Sequence, residues 1–303
     1  MLKMTDFIAL LREKIPTLEL RPQQPLSKYT SFRIGGNAEW MACPKTEEEL
    51  SALLEVCSCA EIRPVILGAG TNVLAPDAGI SGLVIVLKDA LMGMEQISDT
   101  AIRVMAGVTM ARAAVYACGL GLSGLEFAHG IPGSIGGGVS MNAGAYGGEI
   151  KDVCTRVRIL DRQGRGRWIS REEAGFSYRH SAVEDNPWIV TAAEFELTPR
   201  PEAEIRARMQ ELMTKRRTSQ PLDLPSAGSA FKRPASGYAA ALIDQTGLRG
   251  FRVGGAAVSE KHAGFVVNLG GATSADVQSL LRQVSDRVFE ASGIRLEPEV
   301  RIW

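Results

Sequence analysis

The stretch Gly124–Glu149, GLEFAHGIPGSIGGGVSMNAGAYGGE, holds nine glycines among residues that are mostly small. A segment so poor in side chains cannot build a core of its own. Glycine reaches positive φ and lets a backbone come close to a ligand, so a dense run between ordered segments reads as backbone amides wrapped around an anionic group such as phosphate. A tight connection or a close strand-to-strand contact has the same composition, and both readings stay open on this stretch alone.

Upstream, the apolar strand Arg63–Leu67 runs into Gly68-Ala69-Gly70-Thr71-Asn72, where a dinucleotide-binding fingerprint would sit. Val73 takes the place of the third glycine, and Pro76, Asp77 and Gly79 oppose the helix that the fingerprint needs. There remains a tight turn offering amides, the Thr71 hydroxyl and the Asn72 amide to a pyrophosphate held without a helix dipole, or a plain turn. No GxxxxGK[ST] phosphate loop is present, and Pro132, two residues before Ser134, rules out a GxSxG nucleophile elbow and so argues against a hydrolase. His129, His180 and His262 are isolated from one another, and no helix offers a metal-binding pair.

Downstream, Ser226-Ala227-Gly228-Ser229-Ala230-Phe231-Lys232-Arg233-Pro234 sets a hydroxyl beside glycine and ahead of two cations, in a loop. Such a loop presents a proton donor and an anion grip together, or holds an ordinary capping serine. In the last segment Arg295, Glu297, Glu299 and Arg301 alternate with Leu296, Val300 and Ile302. A strand there puts both carboxylates and Arg301 on one face, catalytic or merely solvated.

Between these motifs, periodicity predicts helices over residues 5–14, 46–60 (with Thr46 and Glu49 as a capping box), 109–118, 202–217, 238–246 and 274–292, the last stopped by Gly293. A second capping box is expected at Ser170 and Glu173, and a strand running into a turn at Phe32–Gly36. Helices and strands mix without a regular βαβ repeat, so the fold class is α+β or an irregular α/β.

The chain has 303 residues and 45% hydrophobic content, enough for a sizeable core and two or three domains of an ordinary soluble globular protein. Lys+Arg and Asp+Glu both number 34, which gives no reason to expect nucleic acid or a membrane as partner, so an anionic ligand must be held locally. The five cysteines have no framework spacing and read as reduced thiols. The N-terminal segment carries Asp6 and Glu13 and lacks the pattern of a secretion signal, and no stretch reaches the roughly 20 apolar residues of a membrane span. A cytoplasmic protein with no obligate protein partner is expected.

Taken together, SFRIGGNAEW, LGAGTNVL, the glycine stretch, FSYRHS, PSAGSAFKRP, VSEKHAGFVVN and LEPEVRIW stand in the order found in the UDP-N-acetylenolpyruvoylglucosamine reductase (UDP-N-acetylmuramate dehydrogenase) family, which the chain resembles over nearly its whole length. The absence of an inserted segment before PSAGS resembles the shorter of its two subtypes. The resemblance implies an α+β architecture: an N-terminal lead over residues 1–24, the two subdomains of a vanillyl-alcohol-oxidase-type FAD-binding fold over 25–92 and 93–198, and a substrate-binding domain over 199–303. It implies noncovalent FAD, NADPH as cosubstrate, a UDP-sugar substrate and a place in peptidoglycan precursor synthesis.

By the same likeness, Gly68, Ala69, Gly70, Thr71, Asn72, Val73 and Leu74 surround the cofactor with Gly130, Ile131, Pro132, Gly133, Ser134, Gly136, Gly137, Asn142 and Gly144. Ser229 is the proton donor, and Arg179 with Glu299 steadies the charge that develops on the substrate. Lys232, Arg233 and Tyr238 contact the UDP-sugar. Some relatives of this FAD fold attach flavin through histidine, and His129 stands beside the cradle, but the resembled family holds its cofactor noncovalently. Competing readings are an FAD-dependent sugar or lactone oxidase on the same scaffold and a flavin- or nucleotide-sugar-binding protein without turnover.

Overall fold

The computed structural model describes residues 3–303. The chain divides into two compact units: one takes the chain up to Pro22, Glu39–Ala69 and Gly82–Thr214, the other Gln23–Ala38, Gly70–Ser81 and Lys215–Trp303.

The first unit packs helices onto two sheets. Its four-stranded sheet has the order Glu19–Pro25, Asn37–Cys43, Ile80–Val86, Val65–Leu67, and Val65–Leu67 runs parallel to Ile80–Val86. Helix Glu47–Cys59 buries Leu50, Leu53, Leu54 and Cys57, the stripe its 3.6-residue period predicts. Thr46 caps it by accepting from the Glu49 N–H at 3.2 Å. The Glu49 carboxylate instead accepts from Lys45 N–H and the Thr17 hydroxyl, so the expected box is only half formed. Ser170 likewise accepts from Glu173 N–H at 3.2 Å, but a run of turns follows rather than a helix, and Glu173 pairs with Arg167.

The second sheet of this unit is antiparallel, in the order Gly166–Ser170, Cys154–Leu160, Ile189–Glu196, Ala101–Met105, Met94–Gln96. Its central strand, Ile189–Glu196, is buried at every position but the last, which explains its unbroken apolar run and makes Glu194 conspicuous. Arg103 and Arg156 both donate to Glu194 and both stack on Trp168, at 5.3 and 4.6 Å. Burial opposes ionisation of Glu194, but the bonds and charges of the two arginines outweigh it and hold the carboxyl below its usual range. A depressed native pKa means that its contribution is present above the unfolded carboxylate range and is lost as pH falls through the folded value. Glu194→Gln is expected to lower stability by about 2 kcal/mol at neutral pH, the partners being exposed enough to rehydrate. In urea melts the gap between the two proteins should close on acidification; a gap independent of pH would show that ionisation of Glu194 contributes nothing.

The second unit has its own core, in which Phe32, Ile34 and Leu74 join Ile243, Val258, Leu281, Val288 and their neighbours. An antiparallel sheet in the order Ser226–Ser229, Phe265–Asn268, Ala256–Val258, Arg252–Val253 packs with helices Ala239–Gln245 and Ser274–Ser292. The long helix ends where expected, with Gly293 in the left-handed region at φ 72°. Residues 30–33 form turns, and the strand begins only at Asn37, after the glycine pair rather than before it. The final segment makes an antiparallel bridge from Pro298 to Phe231 and forms a strand at Arg301–Ile302, which pairs in parallel with Val73–Leu74.

Candidate active site

In the first unit the glycine stretch contains a six-residue helix, Ile135–Ser140, despite the poor helix propensity of its three consecutive glycines. Its three consecutive glycines face different ways. A Cβ on Gly136 would lie 3.0 Å from that of Ala106, and one on Gly138 would lie 2.7 Å from Met110 Sδ, so these two glycines let the helix lie flat on its neighbours. The Gly136 N–H is spent on Ala106 O at 2.9 Å. Gly137 faces open space: a Cβ there would meet only Ser134 Oγ, at 3.8 Å. From the turn after Val65–Leu67, Gly68 faces the same hydroxyl, its hypothetical Cβ 3.1 Å away. Ser134 is buried and occupies the N-cap position, yet its hydroxyl makes no capping bond.

Two glycine surfaces around an uncommitted buried hydroxyl are a cradle with room for a phosphate oxygen. The residues present therefore fit a pyrophosphate-bearing cofactor. Gly133 supports the bend at φ 139°, and its carbonyl accepts from Met110 N–H. Ile131 packs on the core, its N–H bonded to Ala128 O next to Gly130 and Pro132.

Beyond the helix the cradle turns into the ribbon Gly144–Ala145 with Gly148–Glu149. Asn142, expected among the cofactor contacts, is fully buried with its side chain turned inward to Glu149, Ser177 and Lys151. Arg179 donates to Gly144 O at 3.2 Å and lies 5.2 Å from the Tyr178 ring. Burial raises the Glu149 pKa, but hydrogen bonds from Lys151 and Asn142 and the charges of Lys151 and Arg179 prevail, holding it ionised below the usual range.

In the second unit the turn at Gly70 is sterically closed: its φ is 66°, and a Cβ would lie 2.0 Å from Tyr29 O. Past Thr71 the chain becomes strand rather than helix at Val73–Leu74, so the failed fingerprint has a structural counterpart. The Asn72 amide donates to Glu299 O at 3.1 Å, and Asn72 O accepts from Arg301 N–H at 3.0 Å.

The proline-flanked loop is laced to the chain end. Glu299 N–H donates to Ala230 O at 2.9 Å, and Lys232 N–H to Glu297 O at 2.8 Å. Ser229 closes its strand opposite Phe265 with its side chain exposed, following Gly228 at φ 77°. This unit thus brings Ser229, Lys232, Glu299 and Asn72 together. Lys232 also pairs with the Glu297 carboxylate. The Arg233 guanidinium lies over the ring of Tyr238, 4.1 Å from its centroid, so an exposed cation and an aromatic ring are held together as one stacked pair. Sequence reasoning missed Glu149 and Lys151, whose only signal was their place at the end of the glycine stretch.

Residues 38–170 match the model of an FAD binding domain, and residues 220–303 that of the UDP-N-acetylenolpyruvoylglucosamine reductase C-terminal domain. The chain is 45% identical to a UDP-N-acetylenolpyruvoylglucosamine reductase of Agathobacter rectalis, with 98% of each chain covered. It is 43% identical to the protein of that name from Latilactobacillus sakei, over 94% of each. A solved UDP-N-acetylenolpyruvylglucosamine reductase from Thermus caldophilus superposes with a TM-score of 0.78 at 36% identity, covering 94% of this chain and 98% of that one. The fold is accordingly α+β, an FAD-binding part followed by a substrate part, and the chain belongs to the UDP-N-acetylenolpyruvoylglucosamine reductase family.

Proposed function

We propose that the protein uses NADPH and noncovalently held FAD to reduce the enolpyruvyl ether of UDP-N-acetylglucosamine to UDP-N-acetylmuramate, a step of peptidoglycan precursor synthesis in the cytoplasm. Residues 25–92 and 93–198 serve FAD, and residues 199–303 serve the UDP-sugar. The observation that carries the reading is the lacing of Ala230 and Lys232 to Glu299 and Glu297 by backbone hydrogen bonds, which holds the segment bearing the exposed Ser229 against the segment bearing Glu299.

Gly68, Gly137 and Ser134 would hold the FAD pyrophosphate, with the segment Gly130–Gly133 beside them. When bound, FAD supplies a carrier that takes hydride from NADPH and gives it to the terminal carbon of the alkene. Negative charge then develops on the adjacent carbon and spreads into the substrate carboxylate. Arg179, its guanidinium tied to Gly144 O, stabilises that charge where it forms. Glu299 helps to polarise the carboxylate, its backbone fixed by Ala230 and Asn72. Ser229 Oγ delivers the proton to the carbon bearing the ether oxygen, completing the lactyl group. Lys232, Arg233 and Tyr238 hold the nucleotide sugar by charge and stacking.

Gly137→Ala separates the two uses of the glycine stretch. A methyl group there meets nothing closer than Ser134 Oγ at 3.8 Å, so the apoprotein should become more stable, by up to about 1 kcal/mol, from helix propensity. FAD retention on gel filtration should fall at the same time; unchanged retention would place the pyrophosphate elsewhere. The reaction itself is tested by product analysis: with NADPH and the enolpyruvyl sugar, the product should be heavier by one hydride and one proton. Consumption of oxygen with a free sugar instead would select the oxidase.

A further inference from the structure

We propose that Asn142 is a positioning residue for Arg179 rather than a contact to the cofactor. The inference rests on the role assigned above to Arg179.

The Asn142 side chain is 0% exposed and fully engaged. Its Nδ2 donates to Glu149 Oε2 at 2.8 Å and to Ser177 O at 2.8 Å, and its Oδ1 accepts from Lys151 N–H at 2.9 Å. The orientation of the amide is forced, because the carboxylate and the carbonyl need donors and the N–H needs an acceptor. Ser177 and His180 in turn exchange backbone bonds of 3.0 and 3.3 Å, closing a tight turn over Tyr178 and Arg179. Asn142 therefore grips the first residue of the turn that carries Arg179.

It grips the other end as well. The Arg179 guanidinium donates to Gly144 O, and Gly144 is paired in the ribbon with Glu149, the carboxylate that Asn142 also holds. Asn142, Tyr146 and Arg179 have φ of 43°, 55° and 55°, a left-handed conformation that costs non-glycine residues free energy. Asn142 and Arg179, joined through this hydrogen-bonded knot, keep that conformation only where the surroundings over-determine it, and strain of this kind gathers where a side chain must be aimed. Without the Asn142 amide, the Ser177 carbonyl and the Glu149 carboxylate are released together. The Gly137 face and the Ser134 hydroxyl, assigned above to the cofactor, are not among the partners of the Asn142 side chain.

The test is a double-mutant cycle on the FAD-loaded protein: Asn142→Ala alone, Arg179→Gln alone, and both. Asn142→Ala is expected to lower turnover of the enolpyruvyl sugar by about 10²-fold, the scale of a misplaced catalytic group. FAD content and the rate at which NADPH bleaches the flavin should stay near those of the parent. In the Arg179→Gln background the same change should add almost nothing, since there is no guanidinium left to aim. Effects that multiply, as a purely structural role would give alongside a lowered Tm in both backgrounds, overturn the proposal. Loss of FAD in proportion to activity also overturns it, and makes Asn142 a cofactor contact. Full turnover in Arg179→Gln alone would instead refute the role of Arg179 itself. If Asn142→Ala does not fold, Asn142→Asp carries the same cycle, as it keeps volume and the acceptor for Lys151 N–H while losing both donors.

Discussion

Replacing Ser229 by alanine is expected to lower turnover by roughly 10²–10⁴-fold, the usual contribution of a positioned general acid, while FAD content and bleaching by NADPH persist. The selectivity follows from where the residue sits. Ser229 ends its strand with an exposed side chain and pairs with Phe265 only through its backbone, so alanine opens no cavity and breaks no ladder. What goes is the hydroxyl proton. Serine is a poor acid in water, and its use depends on position: Ala230 beside it is bonded to Glu299, and Gly228 before it takes φ 77° with open space around it. Cysteine, of similar size and more acidic, should restore part of the rate. An alanine variant turning over at nearly the parental rate would remove Ser229 from the proton-transfer step.

The second large effect is expected at Arg179. Arg179→Gln should cost roughly 10²–10³-fold in turnover, comparable to removing one preorganised stabiliser of developing charge, again with reduction of FAD by NADPH intact. Lysine should recover little, because a point charge on a flexible stem does not reproduce a planar fork tied to Gly144 O. If the loss fell entirely on KM, with kcat unchanged, Arg179 would be holding the ground-state carboxylate rather than the charge that forms during reaction.

The parts of the fold that local chemistry determines were legible. Helix Ser274–Ser292 announces itself through its apolar stripe and its terminal glycine, and helix Glu47–Cys59 through Thr46 and its leucines. Reciprocal capping was not, because the Glu49 carboxylate found better donors at Lys45 and Thr17, the latter 32 residues away. Helix Ile135–Ser140 was hidden by its glycines, whose poor propensity is overridden by packing against Ala106 and Met110. The parallel pairing of Arg301–Ile302 with Val73–Leu74 joins chain segments that no local pattern relates. The same holds for the core that unites Phe32, Ile34 and Leu74 with residues after 226.

The site residues show a similar division. The order of the motifs brought out Ser229, Arg179 and Glu299 by resemblance, but the inward turn of Asn142 depends on hydrogen bonds to Ser177, 35 residues on. Which of the clustered glycines serve packing and which leave space is likewise a tertiary fact: Gly136 and Gly138 lie against neighbours, while Gly137 between them does not.

The most direct measurement is made without oxygen. Purified yellow protein mixed with NADPH should lose its colour and regain it on addition of UDP-N-acetylglucosamine enolpyruvate. A polypeptide that is colourless and takes up no FAD when offered it, or a bleached flavin that regains colour only when air is admitted, would contradict the account.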